Sequence, residues 1–494
     1  MLRWFHSRTF YQKSCLLIGL GILLYIPLMG GFNAWCDERF TLLTFQYSWS
    51  GMLQFLASWD VHPPLHYILL RLWMMGMDYH AVLWARLFSL FLLACTALLG
   101  VFPIRRLLGD KVALWFVGLT FVMPASFYLG TDIRMYALAN LCVTGALVFS
   151  FLAAAGDRKS NWIFLGLFSI CGLYTHYYCG LALLWVWGAL GIRLALNRQG
   201  RRLIPFFVTG GIVSFAFLPW LFAFWMQAMH EIDGWWVDMS YANSSIGYFL
   251  HSTPYLFSPF YFWTMFFQAL CWGWILLYWM NRPASRPKSV VAASLLVTAG
   301  LLMTAYAFSV IVRPILVSRY LLVLAGCFYL PLSIVLAQDK SIRRLFFILC
   351  GGAVLLLFFS RFYMVHASFF KDFQNLMRRY LPKDAIVIVD STLTRLIFEF
   401  YLPEYPGIAY THPDSASRLG EHRKLDRAAI LHKLSETESI FLFTEKYQSP
   451  GYPLRSPYEF NTRYYFVKIT PERARELLSQ PEHVAKDHVE LLQN

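Results

Sequence analysis

A chain of 494 residues with 58% hydrophobic and only 14% charged side chains cannot cover itself with a solvated surface, because a soluble globule needs about 25% charged residues. Together with a mean hydropathy of +0.50, this composition excludes an ordinary soluble protein and indicates one that lies in a lipid bilayer. The net charge of +14 would suit nucleic-acid binding if the cations shared one face of a domain, but they lie in short gaps between apolar runs, so we expect no nucleic acid as a partner.

Eleven apolar runs follow one another along the chain. A helix of about 20 apolar residues crosses the ~30 Å of hydrocarbon in a bilayer, and each run is close to this length. The first run follows a basic N-terminus, but no small-residue cleavage site comes after it, so we interpret it as an uncleaved span rather than a signal peptide. The predicted spans are 14–32, 81–102, 112–130, 135–155, 162–178, 180–196, 203–226, 260–280, 290–312, 320–337 and 345–363.

The loops between these runs alternate in basic content, and the basic N-terminus belongs to the same set as the basic loops. Because such loops stay in the cytoplasm, we expect the N-terminus there. With an odd number of spans, the C-terminus is then expected on the outer (periplasmic or extracellular) side of the cytoplasmic membrane. The basic loop residues are Arg105, Arg106, Lys111, Arg158, Lys159, Arg198, Arg201, Arg202, Arg282, Arg286, Lys288, Lys340, Arg343 and Arg344.

Two loops and the C-terminal region are predicted on the outer side. The 33–80 loop contains apolar stretches such as 45–56, which are too short to span and suit amphipathic helices lying in the membrane interface. The 227–259 loop carries further acids and tryptophans.

After residue 363 charges become frequent and apolar runs shorten, which predicts a change from membrane to soluble structure. Alternating strand and helix patterns favour a small α/β domain. We therefore expect a multi-pass transmembrane domain over 1–363 and an extracytoplasmic α/β domain over 364–494. The strand-like runs are 385–390, 439–445 and 464–470, and the helical patterns are 370–381, 391–402, 425–435 and 471–480.

Ionisable side chains of the apolar region gather near the outer ends of the predicted spans. Charged groups are costly in hydrocarbon, and a transport path shows them through the depth of the membrane, whereas a site at one edge suits an enzyme. The alternative class is a lipid-linked sugar flippase or transporter without transferase chemistry. Each residue also has a structural interpretation, as a solvated loop acid, a headgroup-reaching arginine or an interface histidine. These residues are Asp37, Glu38, Arg86, Asp132, Arg134, His176, Arg313 and Arg319.

Seven short motifs occur in an order that resembles the GT-C glycosyltransferases. More narrowly, the chain is similar to the bacterial relatives of protein O-mannosyltransferases and lipid A aminoarabinose transferases, over roughly residues 15–380. The motifs are DERF (37–40), HPPLHYILLRLW (62–73), ARLFSL (85–90), DIRMYAL (132–138), LYTHYY (173–178), LPWL (218–221) and RPILVSRYLL (313–322).

The resemblance implies transfer of a sugar from a polyprenyl-phosphate donor to an acceptor outside the cytoplasm, with inversion at the anomeric carbon. It identifies Asp37 as the catalytic base, Glu38 as its partner or as the acid that positions the acceptor, and Asp132 as a further catalytic acid. We assign donor-phosphate binding to Arg134, Arg319, Arg86, His62 and His176, and sugar or acceptor binding to Asp60, Tyr136 and Tyr320.

A sugar transfer from a phosphate carrier requires a base and fixed cations, which are the kinds of residue that the resemblance identifies. An attacking hydroxyl must lose a proton, which a carboxylate within hydrogen-bond reach can take, and the charge on the departing phosphate needs fixed cations such as arginine. Carboxylates and imidazole also suit a divalent cation, but a monophosphate leaving group beside several arginines favours a reaction without a metal, so we expect no cofactor. The sugar and the acceptor (glycan, lipid or protein) are left open.

Overall fold

The computed structural model describes residues 8–58, 60–156, 158–230, 237, 239, 261–366, 369–389, 392–405, 407–410, 439–446, 463–472 and 474–475. The chain divides into two compact units. The helical unit comprises residues 1–30, 56–77 and 81–365, and the mixed unit comprises residues 31–55, 78–80 and 366–494. The mixed unit thus joins the first part of the 33–80 loop to the C-terminal region.

Helices make up most of the described chain, and two short 3-10 segments, Thr44–Gln46 and Ser318–Leu324, accompany them. The helices are α1 (Phe10–Met29), α2 (Cys36–Leu43), α3 (Trp49–Ser58), α4 (Leu65–Trp73), α5 (Val82–Leu99), α6 (Asp110–Val122), α7 (Pro124–Leu129), α8 (Tyr136–Ala155), α9 (Lys159–Leu173), α10 (Tyr177–Leu196), α11 (Gly200–His230), α12 (Tyr261–Asn281), α13 (Arg286–Ile311), α14 (Ala325–Gln338), α15 (Lys340–His366), α16 (Phe369–Tyr380) and α17 (Thr392–Tyr401). Helix α5 continues through a π-helical turn, Gly100–Ile104, into a last turn, Arg105–Leu108.

Eight helical segments of the described chain are long and apolar enough to cross a membrane, and each overlaps a predicted span. The protein is therefore a multi-pass membrane protein. The segments are Phe10–Met29, Val82–Leu108, Tyr136–Ala155, Tyr177–Leu196, Gly200–Ala228, Arg286–Ile311, Ser318–Gln338 and Lys340–Tyr380.

The prediction of eleven spans is not confirmed, and the three remaining runs show why. The 112–130 run breaks at Met123, whose backbone is extended before Pro124, into α6 of 13 residues and α7 of six; proline disfavours the helical conformation of the residue before it. Helix α9 has only 15 residues and ends at Leu173, within the 162–178 run. Helix α12 has 21 residues, but four tryptophans lower its hydropathy.

Helix α8 lies at the centre of the helical unit, and 94% of the residues in its 18-residue apolar stretch are buried. The segment Ser318–Gln338 is equally buried and packs on it. The Asn140 side chain on α8 accepts a hydrogen bond from the Gly326 amide on α14 (2.7 Å). A backbone amide within a bilayer needs such a partner, because water does not reach it there. A Cβ at Gly326 would overlap the Thr144 hydroxyl, so this close approach requires glycine.

A four-stranded sheet belongs to the mixed unit, with the order β2-β1-β3-β4. Strand β1 (Ile386–Val389) pairs in parallel with β2 (Gly407–Tyr410) and β3 (Ile440–Lys446), and β3 pairs antiparallel with β4 (Arg463–Lys468). Strands β1, β3 and β4 coincide with the three strand-like runs of the sequence, and α16 and α17 with two of the helical patterns. The pattern at 425–435 and most of that at 471–480 lie outside the described residues.

Within the mixed unit, the segment that carries the DERF motif packs against the C-terminal region. The Tyr401 hydroxyl accepts from the Ala34 amide (3.0 Å) and donates to its carbonyl (3.2 Å). The buried Arg39 guanidinium also donates to the Ala34 carbonyl (2.9 Å) and lies 5.0 Å from the centre of the Phe370 ring. Helix α2 is therefore held by contacts with both α16 and α17.

Candidate active site

Three loops meet at one end of the helical unit, which we call the histidine end because it carries His62, His66 and His176. The loop before α4 joins the loop before α10 through a hydrogen bond from the Leu65 amide to the Tyr174 carbonyl (2.9 Å). The loop after α13 joins them through the Tyr178 hydroxyl, which donates to the Ile315 carbonyl (2.7 Å). These bonds hold polar side chains from distant parts of the sequence in one place.

Asp60 and His62 form a buried pair at this end. The Asp60 carboxylate lies 3.0 Å from His62 Nδ1, and both side chains are 6% exposed. Burial raises the pKa of Asp60, but His62, Arg134 and the Tyr67 hydroxyl outweigh burial and hold the pKa below its usual value. Because an ionised carboxylate only accepts hydrogen bonds, His62 Nδ1 carries a proton and donates it to Asp60.

His176 has the opposite arrangement. Its Nδ1 accepts from the Tyr178 amide (3.0 Å), which caps α10, so the neutral ring carries its proton on Nε2. Burial, followed by the charges of His62, Arg134 and Arg319, lowers the pKa of His176 well below its usual value. Among the described residues, Nε2 is buried and has no hydrogen-bond acceptor. The structure thus leaves one buried N–H donor available to a ligand.

Aromatic rings surround His176. Its ring centre lies 4.8 Å from that of Tyr320, 5.1 Å from that of His62 and 6.0 Å from that of Tyr136. Tyr136 and Tyr320, predicted to bind sugar or acceptor, are therefore brought together with two of the predicted phosphate residues. We call Asp60, His62, Tyr136, His176 and Tyr320 the aromatic–histidine cluster.

Two predicted phosphate-binding arginines adjoin this cluster. Arg134 is 3% exposed and donates through Nη1 to the Tyr67 hydroxyl (3.2 Å). Arg319 is 9% exposed, and its guanidinium carbon lies 5.7 Å from the centre of the Tyr320 ring. Arg86 is also buried, in the second turn of α5, and its role stays a prediction.

Asp132 is buried beside a partner that the sequence analysis missed. Its carboxylate lies 3.6 Å from Nη2 of Arg361. The Nε of Arg361 donates to the Thr131 hydroxyl (2.7 Å), and its guanidinium lies 5.2 Å from the centre of the Tyr128 ring. The signal for Arg361 was present in the sequence, because an arginine in an otherwise apolar span is costly and is commonly functional.

His66 and Tyr67 were also missed as residues of this end. Burial first, and then the charges of Arg134 and His62, lower the pKa of His66 to about 3. Neither ring nitrogen of His66 has a hydrogen-bond partner among the described residues. The HPPLH motif places His66 four residues after His62 and in the first turn of the following helix, which was the available signal.

Asp37 and Glu38 belong to the mixed unit, in the first turn of α2. Glu38 is 1% exposed, and its carboxylate accepts from the Trp35 amide at the start of its own helix (3.0 Å). Asp37 is half-buried. The two neighbouring acids are therefore not equivalent, since Glu38 serves as a helix cap.

The described residues contain no cluster of side chains that could serve as a metal-ligand set. No group of three or more His, Cys, Asp and Glu side chains there is placed to hold an ion. Independence from metals stays a prediction.

Comparison with known proteins identifies the fold. No protein-family model matches the chain, and no curated protein is similar to it in sequence. The structure is similar to that of ArnT from Cupriavidus metallidurans in the apo state, with a TM-score of 0.59 and 11% identity over 87% of this chain and 92% of ArnT. It is also similar to ArnT bound to undecaprenyl phosphate, with a TM-score of 0.54 and 12% identity over the same shares.

A third solved structure, the oligosaccharyltransferase of Archaeoglobus fulgidus in the apo form, aligns with a TM-score of 0.48 and 10% identity over 87% of this chain and 69% of its own. ArnT is a GT-C glycosyltransferase. The chain therefore has the GT-C fold, and the resemblance seen in the sequence motifs is confirmed at the level of the fold.

Proposed function

We propose that this protein is a membrane glycosyltransferase that moves a sugar from a polyprenyl-phosphate carrier to an acceptor on the outer side of the cytoplasmic membrane. Its fold is that of ArnT, one structure of which holds undecaprenyl phosphate. The histidine end supplies the kinds of group that a lipid phosphate requires. Fold alone does not decide function, so the proposal depends on this site.

The buried Nε2–H donor of His176 carries the proposal. A buried donor without an acceptor destabilises a protein by about 1–3 kcal/mol, so its retention in a packed site favours a ligand that supplies an acceptor. A phosphate oxygen is a strong acceptor and forms charge-assisted hydrogen bonds with arginine. Arg134 and Arg319 lie near enough to this ring for their charges to lower the pKa of His176. A phosphate at this point would contact one histidine and two guanidinium groups.

The reaction that follows is a displacement at the anomeric carbon. The acceptor oxygen forms a bond to that carbon from one face, and the bond between carbon and phosphate oxygen breaks on the other face, which inverts the configuration. The electron pair leaves with the phosphate, where Arg134 and Arg319 stabilise the charge. The hydroxyl proton passes to a general base.

We assign the base to Asp37. The assignment rests on the family resemblance, and the cap that Glu38 provides for α2 gives this neighbouring acid a structural role. Asp132, paired with Arg361, fits a positioning role for the loop between α7 and α8. His62, held in place through its bond to Asp60, is the competing candidate for the base. With a monophosphate leaving group and arginines at hand, no metal ion is required.

The finer topology belongs to the same proposal. We infer eleven membrane-crossing segments, the N-terminus in the cytoplasm, and an outer α/β domain over 364–494. A cysteine placed at Ser285, in the basic loop before α13, should react only with a membrane-permeant maleimide in intact cells. A cysteine at the exposed Asp384 should also react with an impermeant one. Labelling of both positions by the impermeant reagent would contradict this topology, and the unsubstituted chain controls for native cysteines.

The test of function is transfer by the purified protein reconstituted in vesicles. One reaction contains a polyprenyl-phosphate sugar, and the other contains a nucleotide sugar without a lipid carrier. We expect sugar transfer only in the first reaction. Transfer from the nucleotide sugar alone would contradict the proposed donor, and movement of the lipid-linked sugar across the vesicle membrane without transfer would instead indicate a flippase.

A further inference from the structure

A second polar site lies at the opposite end of the helical unit, which we call the basic-loop end because the basic residues at or before the starts of α6, α9, α11, α13 and α15 belong to it. A cavity of about 390 Å³ opens there between α8, α10 and α13. Its walls are mostly apolar, but Arg193, Asn197 and Ser289 also line it. The cavity contains none of the residues assigned to the transfer reaction.

Arg193 is the only charged side chain that lines this described cavity. Its guanidinium carbon lies 4.9 Å from the centre of the Phe151 ring. In the part of the chain that the structure describes, the Arg193 side chain forms neither an ion pair nor a hydrogen bond, and its Nε is buried. The aromatic contact holds the guanidinium at the cavity wall without neutralising it.

Two further arginines reinforce the positive potential. Arg286 and Arg202 both lie close enough to repel the charge of Arg193. Their charges add to the positive potential at Arg193, the charged side chain of the cavity wall, and a concave site of one sign attracts an anion more strongly than a single exposed cation does. A guanidinium with its donors available matches the oxygens of a phosphate group.

The apolar surroundings distinguish a lipid from a soluble anion. Ile192 and Leu196 line the same cavity and are 57% and 79% exposed, so in a membrane they face acyl chains. Basic residues beside a span attract the anionic lipids of the adjacent leaflet. We infer that this cavity binds the phosphate of an anionic phospholipid such as phosphatidylglycerol, with the acyl chains beside α10.

The test measures how lipid stabilises the purified protein in a neutral detergent. The thermal midpoint is followed during titration with phosphatidylglycerol, with phosphatidylcholine, or with millimolar inorganic phosphate. We expect stabilisation by phosphatidylglycerol alone. In Arg193→Gln the half-maximal lipid concentration should rise at least about tenfold, the loss expected for a hydrogen bond to a charged group. Arg344→Gln removes an exposed cation from the same end and should leave that concentration unchanged.

A second variant protects the test against a simple folding defect. Ala292→Phe fills the cavity, which Ala292 lines, and keeps Arg193, so it should weaken lipid binding as well. Equal affinity in Arg193→Gln and the wild type would overturn the site, as would undiminished binding in Ala292→Phe. Equal stabilisation by inorganic phosphate would overturn the lipid assignment. Because transfer is not measured, failure here leaves the proposed function untouched.

Discussion

The two ends of the helical unit carry positive charge in different ways. At the histidine end, Arg86, Arg134, Arg319 and Arg361 are at most 9% exposed. At the basic-loop end, Arg105 pairs with Asp110 on the surface, where their side chains are 32% and 55% exposed. Exposed cations keep their hydration and direct topology, whereas buried cations are stable only beside acids or a bound anion. We therefore expect the exposed cations to orient the protein in the membrane and the buried cations to bind the donor phosphate.

The largest effect should come from the proposed base, which neither set of arginines can replace. Asp37→Asn keeps the size of the side chain but removes the proton acceptor, so turnover should fall at least ~100-fold. Glu38→Gln is the matched control, because its amide oxygen still accepts from the Trp35 amide, and it should lose only a few-fold. The measurement is the transfer rate at saturating donor. Near-normal turnover in Asp37→Asn would shift the role to His62.

The next largest effect should come from the Nε2–H group of His176, which we propose binds the donor phosphate. His176→Asn retains an acceptor for the Tyr178 amide, since asparagine is a good N-cap, but removes the Nε2 donor. The affinity for the polyprenyl-phosphate sugar should fall roughly tenfold, within the range for a hydrogen bond to a charged group. The thermal stability should change little. His176→Phe removes both bonds and should lose affinity and stability together. If His176→Asn binds the polyprenyl-phosphate sugar as tightly as the wild type, the assignment of His176 to the phosphate site is contradicted.

The smallest effect is a pH dependence of stability that sharpens the contrast between buried and exposed groups. The pKa of His66 lies near 3 in the folded protein and near 6.5 when unfolded. The unfolded chain therefore binds a proton that the folded chain does not, and stability falls as the pH falls below ~6.5, by ~1.4 kcal/mol per pH unit. This loss continues until the pH approaches the folded pKa.

The check is thermal denaturation at about pH 7 and about pH 5. His66→Phe should lose about 2 kcal/mol less than the wild type over this interval, because phenylalanine fills a similar volume without a titrating group. His366→Phe makes the same substitution at an exposed histidine and is the matched control for the loss of one imidazole ring. The same fall in all three proteins would contradict the assigned surroundings of His66.

Properties local in the sequence were predictable, and pairings across long separations were not. Of the eleven spans that apolar length indicated, eight coincide with helical segments long and apolar enough to cross a membrane. The 112–130 span is not confirmed, because Pro124 divides the run into two shorter helices; the Met-Pro step was visible in the sequence. The ordered motifs indicated that Arg134, His176 and Tyr320 share a site. The pairing of Asp132 with Arg361 depends on how the loop between α7 and α8 meets the last turns of α15, which no local pattern encodes.

The sheet of the mixed unit shows the same limit. Strand β2 consists of Gly407–Tyr410, four residues too short and too mixed to stand out by alternation. It exists because β1 offers a parallel edge to pair with. Strands β1, β3 and β4 contain continuous or alternating apolar residues and were visible for that reason.

The most direct test of the central claim is the affinity of the purified protein for polyprenyl phosphate without a sugar. Four single variants are compared: Arg134→Ala and Arg319→Ala at the histidine end, and Arg282→Ala and Arg344→Ala at the basic-loop end. Each removes one positive charge, so nonspecific attraction changes equally. We predict that affinity falls about ten- to a hundred-fold in the first pair and stays within a factor of about two in the second. Equal losses in both pairs, or none in the first, would contradict the account.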